Sequence, residues 1–168
     1  MRLARSFLAD DSGNAAVEMA LILPFLLMLT FAGLEGAHYL YVEHQVVKGV
    51  RDGARFASRQ SFTIYSCGST SVSNSSTETT IKNVTRYGTP TVATGQKPLV
   101  STWTDAGTTV TVNCPSTAIT TGIYSTMANA PRVTVTANIS YPSLFEVITG
   151  LRSTFRLYAT DQAAVMGV

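Results

Sequence analysis

The sequence predicts an α+β fold in which a long N-terminal helix, part of it membrane-spanning, packs on a small antiparallel β-sheet. Two observations support this prediction. An apolar run near the start of the chain continues into an amphipathic segment, and later segments alternate between apolar and polar residues. These patterns divide the 168 residues into a leader at 1–13, a helix at 14–60 and a β-rich globular domain at 61–168.

The apolar run at residues 14–34 contains one charged side chain, Glu18. At about 1.5 Å per residue it forms about 31 Å of helix, close to the ~30 Å thickness of bilayer hydrocarbon. Its strongly apolar side chains favour insertion by about 3 to 6 kcal/mol in total. One carboxylate near the end of the span costs about 3 kcal/mol or less. Pro24 lacks an amide donor and crowds the carbonyl of Ala20, which predicts a kink.

The helical pattern continues to Arg59, so we expect one helix from about Asn14 to Arg59. Gly49 and Gly53 weaken that expectation, because an interior glycine costs about 1 kcal/mol relative to alanine. Small apolar residues recur at spacings of three and four, and a basic stripe has the same period. The apolar set is Val42, Val46, Val50, Ala54 and Ala57, and the stripe is Lys48, Arg51, Arg55 and Arg59. These basic side chains could be exposed to solvent, contact a neighbouring subunit or bind anionic lipid headgroups.

Three segments show the period-two alternation of half-buried strands. The plainest runs from Val133 to Tyr141, and a second covers Thr109 to Cys114. A third is expected from Thr154 to Thr160, with Phe155, Leu157 and Ala159 facing inward. The Ser/Thr tract from Ser69 to Thr80 is expected to be an exposed loop.

Charge and cysteine content restrict the class of protein. Charged residues make up only 13% of the chain and its net charge is +2, with no basic run that would follow a phosphate backbone, so nucleic acid is not an expected partner. Cys67 and Cys114 form an even count without metal-ligand spacing. A disulfide formed in an oxidising compartment is the leading interpretation, and two buried free thiols are the alternative.

The segment before the apolar run carries the clearest functional pattern. Arg2 and Arg5 precede Ser12-Gly13-Asn14-Ala15-Ala16-Val17-Glu18, and the uncharged run follows. This order resembles the processing site of type IV prepilins. The resemblance implies that a prepilin peptidase cuts between Gly13 and Asn14. Glycine suits that position because it has no side chain to obstruct an extended chain in a protease.

Glu18 needs a favourable partner, because an ionisable group in apolar surroundings is costly. Cleavage would create one, the positively charged α-amine of Asn14. Glu18 could pair with the amine of its own chain, four residues away, or with the amine of a neighbouring subunit. The resemblance to pilins implies the second pairing, which would set the axial stagger of subunits in the fibre. The third possibility is that Glu18 favours the positive end of its own helix by about 0.3 to 1 kcal/mol.

A longer pattern narrows the resemblance to one family. The stretch Gly13-Asn14-Ala15-Ala16-Val17-Glu18-Met19-Ala20-Leu21-Ile22-Leu23-Pro24 is followed by Glu35-Gly36 and by Arg51-Asp52-Gly53-Ala54-Arg55-Phe56-Ala57. It resembles TadE-like pseudopilins of the tight adherence, or Flp, pilus system, over residues 12–57. The resemblance implies a minor pilin that supports assembly of a pilus used in surface attachment.

The same resemblance implies the partners and the location. The partners would be a prepilin peptidase, the major Flp pilin, other pseudopilins, the inner-membrane assembly platform and membrane lipid. The chain would cross the bacterial inner membrane once, with its N-terminus cytoplasmic and its globular domain periplasmic or extracellular. Flanking Arg and Lys residues do not set this orientation, because their count on the two sides is equal.

Other classes of protein fit the sequence less well. Glu35 and His38 form half of a carboxylate-bridged metal pattern without its second copy, and no cofactor, metal site or enzymatic activity is expected. A cleaved secretory signal is disfavoured by Glu18 and Pro24 within its apolar core. The main alternative function is an unprocessed, single-pass, membrane-tethered binding domain of the cell envelope.

Overall fold

The computed structural model describes residues 12–65, 67, 71–115, 122–125, 129–149 and 154–167. Residues 1–11, most of the expected leader, lie outside this description. The helices are α1 (Ser12–Ser58), α2 (Ser75–Tyr87) and α3 (Leu144–Thr149), and the strands are β1 (Thr108–Asn113), β2 (Arg132–Ser140) and β3 (Arg156–Ala164). Short 3₁₀ turns lie at Phe62–Ile64, Asp105–Gly107 and Gly122–Tyr124. The predicted α+β class and the single long N-terminal helix are confirmed.

The chain divides into two compact units, Met1–His38 and Tyr39–Val168. The division lies inside α1, whereas the sequence analysis began the globular domain at residue 61. The reason is the burial of the second half of the helix. Val42, Val46 and Val50 are buried in the same core as the inward side chains of the sheet, so residues 39–58 belong to the globular unit.

The two interior glycines of α1 are explained by close packing within the globular unit. A Cβ at Gly49 would overlap the carbonyl oxygen of Thr85 and the ring of Trp103, and a Cβ at Gly53 would overlap the hydroxyl of Thr85. The absence of side chains at these positions lets α2 and Trp103 lie directly against α1. The glycines lower the intrinsic stability of the α1 helix, and the close packing of α1 against α2 and Trp103 compensates for that loss.

The described strands form an antiparallel sheet of order β1-β2-β3. Val110 is opposite Val135, and Val133 is opposite Ala163, so apolar side chains of neighbouring strands share one face. Along β2 the buried positions are Val133, Val135, Ala137 and Ile139, as the alternation predicts. The other face of the sheet carries hydroxyls and amides that pair across strands, including Thr136 with Thr160 at 3.1 Å.

The prediction that the Ser/Thr tract from Ser69 to Thr80 is an exposed loop is wrong for the second half of the tract, because residues 75–80 form the start of α2. Asn74 caps the helix by accepting from the amides of Ser76 and Thr77. Gly88 ends it in a left-handed conformation with φ of 73°. The buried residues Ile81, Val84 and Thr85 hold α2 against the core. Ser69 and the residue after it lie outside the described residues.

The third strand is confirmed in part. It runs from Arg156 to Ala164 and so begins two residues later and ends four residues later than expected. Leu157 and Ala159 are buried as predicted, but Phe155 precedes the strand and its side chain is 71% exposed. The inward orientation predicted for Phe155 is therefore wrong.

Candidate functional site

The residues of the predicted processing site lie together at the start of α1. Gly13, Asn14, Glu18 and Pro24 are all helical, and all of them are exposed. A helix rises about 1.5 Å per residue, so the segment from Gly13 to Pro24 extends over about 17 Å. The predicted site is thus one continuous, accessible piece of chain.

Gly13 is not required by packing. A Cβ at this position would meet nothing within 4 Å, in contrast to Gly49 and Gly53. Its backbone is helical, so hydrolysis of the bond to Asn14 requires the first turn of α1 to unwind. First turns fray readily because their amides lack partners within the helix, and glycine lowers the cost of leaving the helical conformation.

Glu18 projects from an exposed apolar surface one helical turn after Asn14. Its neighbours Val17, Met19 and Leu21 are each more than 60% exposed. Among the described residues, ion pairs join Lys82 to Glu78 and Asp105, and Arg86 to Asp105, and none of these pairs includes Glu18. The carboxylate is therefore open to a partner from outside this chain or from a newly formed N-terminus.

Pro24 lies inside α1, and the helix continues on both sides of it. Proline leaves the carbonyl of Ala20 without its usual amide donor. The predicted kink at this position stays a prediction.

The apolar part of α1 has the properties of a membrane-spanning helix. An 18-residue window within Gly13–Ser58 has a mean hydropathy of 2.1, and none of that window is buried. A side-chain surface of this size is unusual for a helix in water, and lipid or other apolar helices would cover it.

In the globular unit, Cys67 and Cys114 form a disulfide. It connects the segment after α1 to the residue that follows β1. Nearby in sequence, Tyr65 is buried and its hydroxyl donates a 2.7 Å hydrogen bond to the carbonyl of Ala57. Burial raises the pKa of Tyr65 to about 12. The disulfide and this hydrogen bond both fix the chain as it leaves α1.

A charged cluster attaches α2 to the turn before β1. Asp105 accepts from Arg86 Nη1 at 3.0 Å and lies 3.7 Å from Lys82 Nζ. Lys82 also pairs with Glu78 at 2.9 Å. The hydrogen bond that Lys82 donates to Glu78, together with attraction to both carboxylates, raises the pKa of Lys82 despite partial burial. These contacts have a structural role.

The basic stripe of α1 borders a shallow surface groove of about 400 Å³. Its lining residues are His44, Val47, Lys48, Arg51, Asp52 and Arg55. All of them belong to one helix, and the cations are exposed, so the groove is a solvated helix face with one carboxylate among the cations. Arg59, the last residue of the predicted stripe, follows the end of α1.

Sequence reasoning missed the role of α2 and of the two glycines in α1. Gly49 and Gly53 are four residues apart, the spacing that places them on one face of a helix. That spacing was a visible sign of close helix packing. The helix that packs on these glycines, α2, was not predicted because its serine and threonine content is typical of loops.

Comparison with known families adds one finding. Residues 13–55, about a quarter of the chain, match the family model described as TadE-like protein. The matched range begins at Gly13 and includes Glu18, Pro24 and both packed glycines. No curated protein and no solved structure matches the chain.

Proposed function

We propose that the chain is a minor pilin, or pseudopilin, that supports assembly of a tight adherence (Flp) pilus, because its residues 13–55 match the TadE-like family model. The observation that carries the proposal is the environment of Glu18. A single carboxylate lies within an exposed apolar surface, one turn from Asn14, inside the matched range. Without a partner, this carboxylate would gain only about 0.3 to 1 kcal/mol from the positive end of its own helix, against a larger cost in apolar surroundings.

The first step is removal of the leader. A prepilin peptidase hydrolyses the Gly13–Asn14 bond, which leaves a carboxylate on Gly13 and an ammonium group on Asn14. The exposure of this segment and the open space around Gly13 support access by a protease. The product is a chain that begins with a positive charge at the edge of an apolar helix.

The second step uses that charge for docking. Glu18 of one subunit pairs with the Asn14 ammonium group of the next, and in apolar surroundings the attraction between them is much larger than in water. One turn of helix separates the two groups within a chain, so pairing between chains shifts neighbouring subunits along the fibre axis. Cleavage and docking are then linked, because uncut chains lack the ammonium group.

The location and partners follow from the same proposal. The apolar part of α1 crosses the inner membrane with its N-terminus in the cytoplasm, and the globular unit lies in the periplasm or outside the cell. The disulfide supports an oxidising location for this unit. Before assembly the partners are lipid, the peptidase and the assembly platform, and during assembly they are the major pilin and other pseudopilins.

Mass spectrometry of the mature N-terminus tests this function. We expect the chain to start at Asn14 when a prepilin peptidase is co-expressed, and Gly13→Leu to block the cut. Gly33→Leu is the matched control, because a Cβ at Gly33 also meets nothing within 4 Å and leucine suits the apolar span. An intact Met1 in the unaltered chain would favour the unprocessed tethered binding domain. A start near Ala37 would indicate a cleaved signal peptide and contradict the proposal.

A further inference from the structure

Strand β3 forms one outer edge of the sheet. It pairs with β2 along its whole length, from Arg156 to Ala164, and no described strand lies on its other side. The opposite outer strand, β1, also contacts α2. β3 has nine residues, none of them proline, lysine or glycine. Most strands are shorter, about 5 to 6 residues, and a long exposed edge can pair with another chain.

The hydrogen bonds at the two ends of the β2–β3 pair show which backbone groups of β3 point outward. The amide of Tyr141 donates to the carbonyl of Phe155 at 2.9 Å, and the amide of Val165 donates to that of Pro131 at 3.0 Å. In antiparallel strands, residues that bond to the neighbouring strand alternate with residues whose amide and carbonyl point away. Odd-numbered residues of β3 therefore bond to β2. The even-numbered residues from Arg156 to Ala164 direct their amides and carbonyls to the free edge.

These outward backbone groups are accessible to a partner. The even-numbered residues are all exposed, including Tyr158 at 67%. Among the described residues, the hydrogen bonds of their side chains go back to β2, as from Thr160 to Thr136 and from Gln162 to Thr134, both at 3.1 Å. A row of unpaired amides and carbonyls at the edge of a sheet is matched by another extended backbone.

A second copy of the chain presents the matching edge. The central residue of β3, Thr160, is one of those whose backbone groups point outward. Antiparallel pairing around a two-fold axis at Thr160 therefore aligns the whole strand. Arg156 then lies opposite Ala164 of the second copy, and Tyr158 lies opposite Gln162. Every outward group is paired in this register, which supplies about ten hydrogen bonds across the axis. Two-fold symmetry is also the commonest symmetry of homo-oligomers.

This register also suits the two charged residues of β3, Arg156 and Asp161. Arg156 faces Ala164 of the second copy and Asp161 faces Ala159, so no like charges lie directly opposite each other, which would be unfavourable. Asp161 is half-buried and shares the inward face with Ala159. An inward charge on an edge strand disfavours pairing with unrelated apolar strands.

We propose that β3 is a self-pairing edge, through which two copies of the chain join their described three-stranded sheets into one continuous sheet. The proposal uses contacts of the globular unit alone, and it is independent of the proposed pilus function and of leader cleavage. It assigns a role to the outward backbone groups of β3, which neither the core nor the predicted processing site uses.

Cysteine cross-linking of the full chain in detergent micelles tests this pairing. Thr160→Cys places a thiol beside the two-fold axis, where directly opposed Cα atoms are about 5.5 Å apart, within the range of a disulfide. Thr109→Cys is the matched control, because Thr109 is exposed and lies in the same row across the sheet, opposite Thr136. Two copies of Thr109 would be about 24 Å apart, at five strand spacings.

We expect mild oxidation to link Thr160→Cys chains into dimers at least about tenfold more than Thr109→Cys chains. Mass spectrometry of linked peptides should show a bond between position 160 of both copies, with Cys67 and Cys114 still joined. Adding Gln162→Pro to Thr160→Cys should abolish the dimer, because proline lacks the outward amide and leaves the bonds to β2 in place. Gln162→Ala is its matched control and should preserve the dimer.

A mixture of Tyr158→Cys and Gln162→Cys chains tests the register without altering Thr160. Mixed dimers should exceed dimers of either variant alone, because identical positions lie about 14 Å apart along the paired strands. A folding defect in Thr160→Cys therefore leaves the mixture as the test. An excess of dimers linked between identical positions would contradict the axis at Thr160.

Two further results would overturn the proposal. Equal linking of Thr160→Cys and Thr109→Cys would indicate random collision or association through another surface. If neither Thr160→Cys nor the mixture forms dimers, a second copy does not occupy the edge. Linking of Thr160→Cys to a different protein in cells would then assign the edge to a strand of that protein. The N-terminus found by mass spectrometry would be unaffected by any of these results, so this proposal and the proposed function fail separately.

Discussion

The hydroxyl of Thr85 occupies the space in which a Cβ at Gly53 would lie. Thr85 is fully buried, and its hydroxyl donates a 2.8 Å hydrogen bond to the carbonyl of Ile81 one turn earlier in α2. The side chain is thus fixed by its own helix and cannot easily give way. This contact, together with the packing of Thr85 and Trp103 on Gly49, sets how closely α1 and α2 approach.

Gly53→Ala should therefore destabilise the globular unit. Overpacking typically costs about 1 to 3 kcal/mol, and the gain in helix propensity offsets up to about 1 kcal/mol of it. Urea unfolding of the full chain in detergent would measure the change, with the fluorescence of Trp103 as the probe. Thr85→Ala removes the obstructing hydroxyl, so the double variant should be less destabilised than the sum of the two single variants. Additive losses would contradict the contact.

Reduction of the disulfide should destabilise the same unit. Cys67 and Cys114 are 47 residues apart, and the chain-entropy model gives about 4 kcal/mol for a loop of this length. Cys114→Ser should lower the urea midpoint by the same amount as a thiol reductant lowers it in the unaltered chain. Cys67→Ser is the matched variant and should behave identically. An unaltered chain whose midpoint is insensitive to reductant would show that the bridge contributes no stability.

Tyr65 should make stability depend on alkaline pH. Burial raises its pKa to about 12 in the folded chain, above the ordinary value of 10.0, so the folded state holds the phenol proton more tightly. The resulting stabilisation is complete below pH 10 and is lost as the pH rises through about 12. It amounts to at most about 3 kcal/mol for a shift of this size.

Tyr65→Phe is the test of this pH dependence. The variant loses the 2.7 Å hydrogen bond to Ala57 and should be about 1 kcal/mol less stable at neutral pH. Between pH 10 and 12 its stability should fall less steeply than that of the unaltered chain. Lys82, whose pKa is also raised, loses its proton in both proteins, so the difference between their slopes isolates Tyr65. If the unfolding free energies of the two proteins fell equally steeply with pH, the Tyr65 phenol would not be desolvated in the folded chain.

Glu18→Gln should abolish fibre production while leaving membrane insertion and leader cleavage intact. The substitution keeps the size of the side chain and removes the charge that, in the proposed docking step, pairs with the Asn14 ammonium group. Insertion should not suffer, because a neutral amide is less costly than a carboxylate near lipid. Immunoblots of sheared surface fibres and an attachment assay would measure the effect.

Glu43→Gln is the matched control, since Glu43 is an exposed carboxylate of α1 beyond the apolar run. It should leave fibre production unchanged. Normal fibre levels in cells that carry Glu18→Gln would remove the physical basis of the proposed docking step, whatever the processing result.

Elements with a strong hydrophobic period were predictable from the sequence. In β2, the buried Val133, Val135 and Ile139 alternate with polar residues, and one period accounts for the whole strand. The buried face of α1 follows in the same way from valines and alanines at spacings of three and four. In these elements, local pattern and tertiary burial favour the same structure.

Other elements depend on contacts that no local pattern encodes. α2 is rich in serine and threonine, and its stability comes from the Asn74 cap, the Glu78–Lys82 pair and burial of Ile81. Phe155 continues the alternation of β3, yet it lies beyond the last pairing of Arg156 with Ser140 and is exposed. Alternation alone cannot locate the end of a strand.

The processing segment stays a prediction, and it rests on a different kind of signal. Gly13 and Glu18 are recognised by their order before an apolar run, and neither makes a packing contact that the fold would need. The chemistry proposed for them depends on partners outside the chain.

The sharing of α1 between two units has a mechanical consequence. Residues 42–57 of this helix contribute to the core over about four turns, and the same helix continues without a break into the apolar segment. The buried side chains of this stretch therefore resist sliding of the helix along its own axis together, as a set. Loading by shear over a whole interface requires more force than peeling contacts apart one by one. The buried stretch of α1 is thus held in the core as one set and not contact by contact.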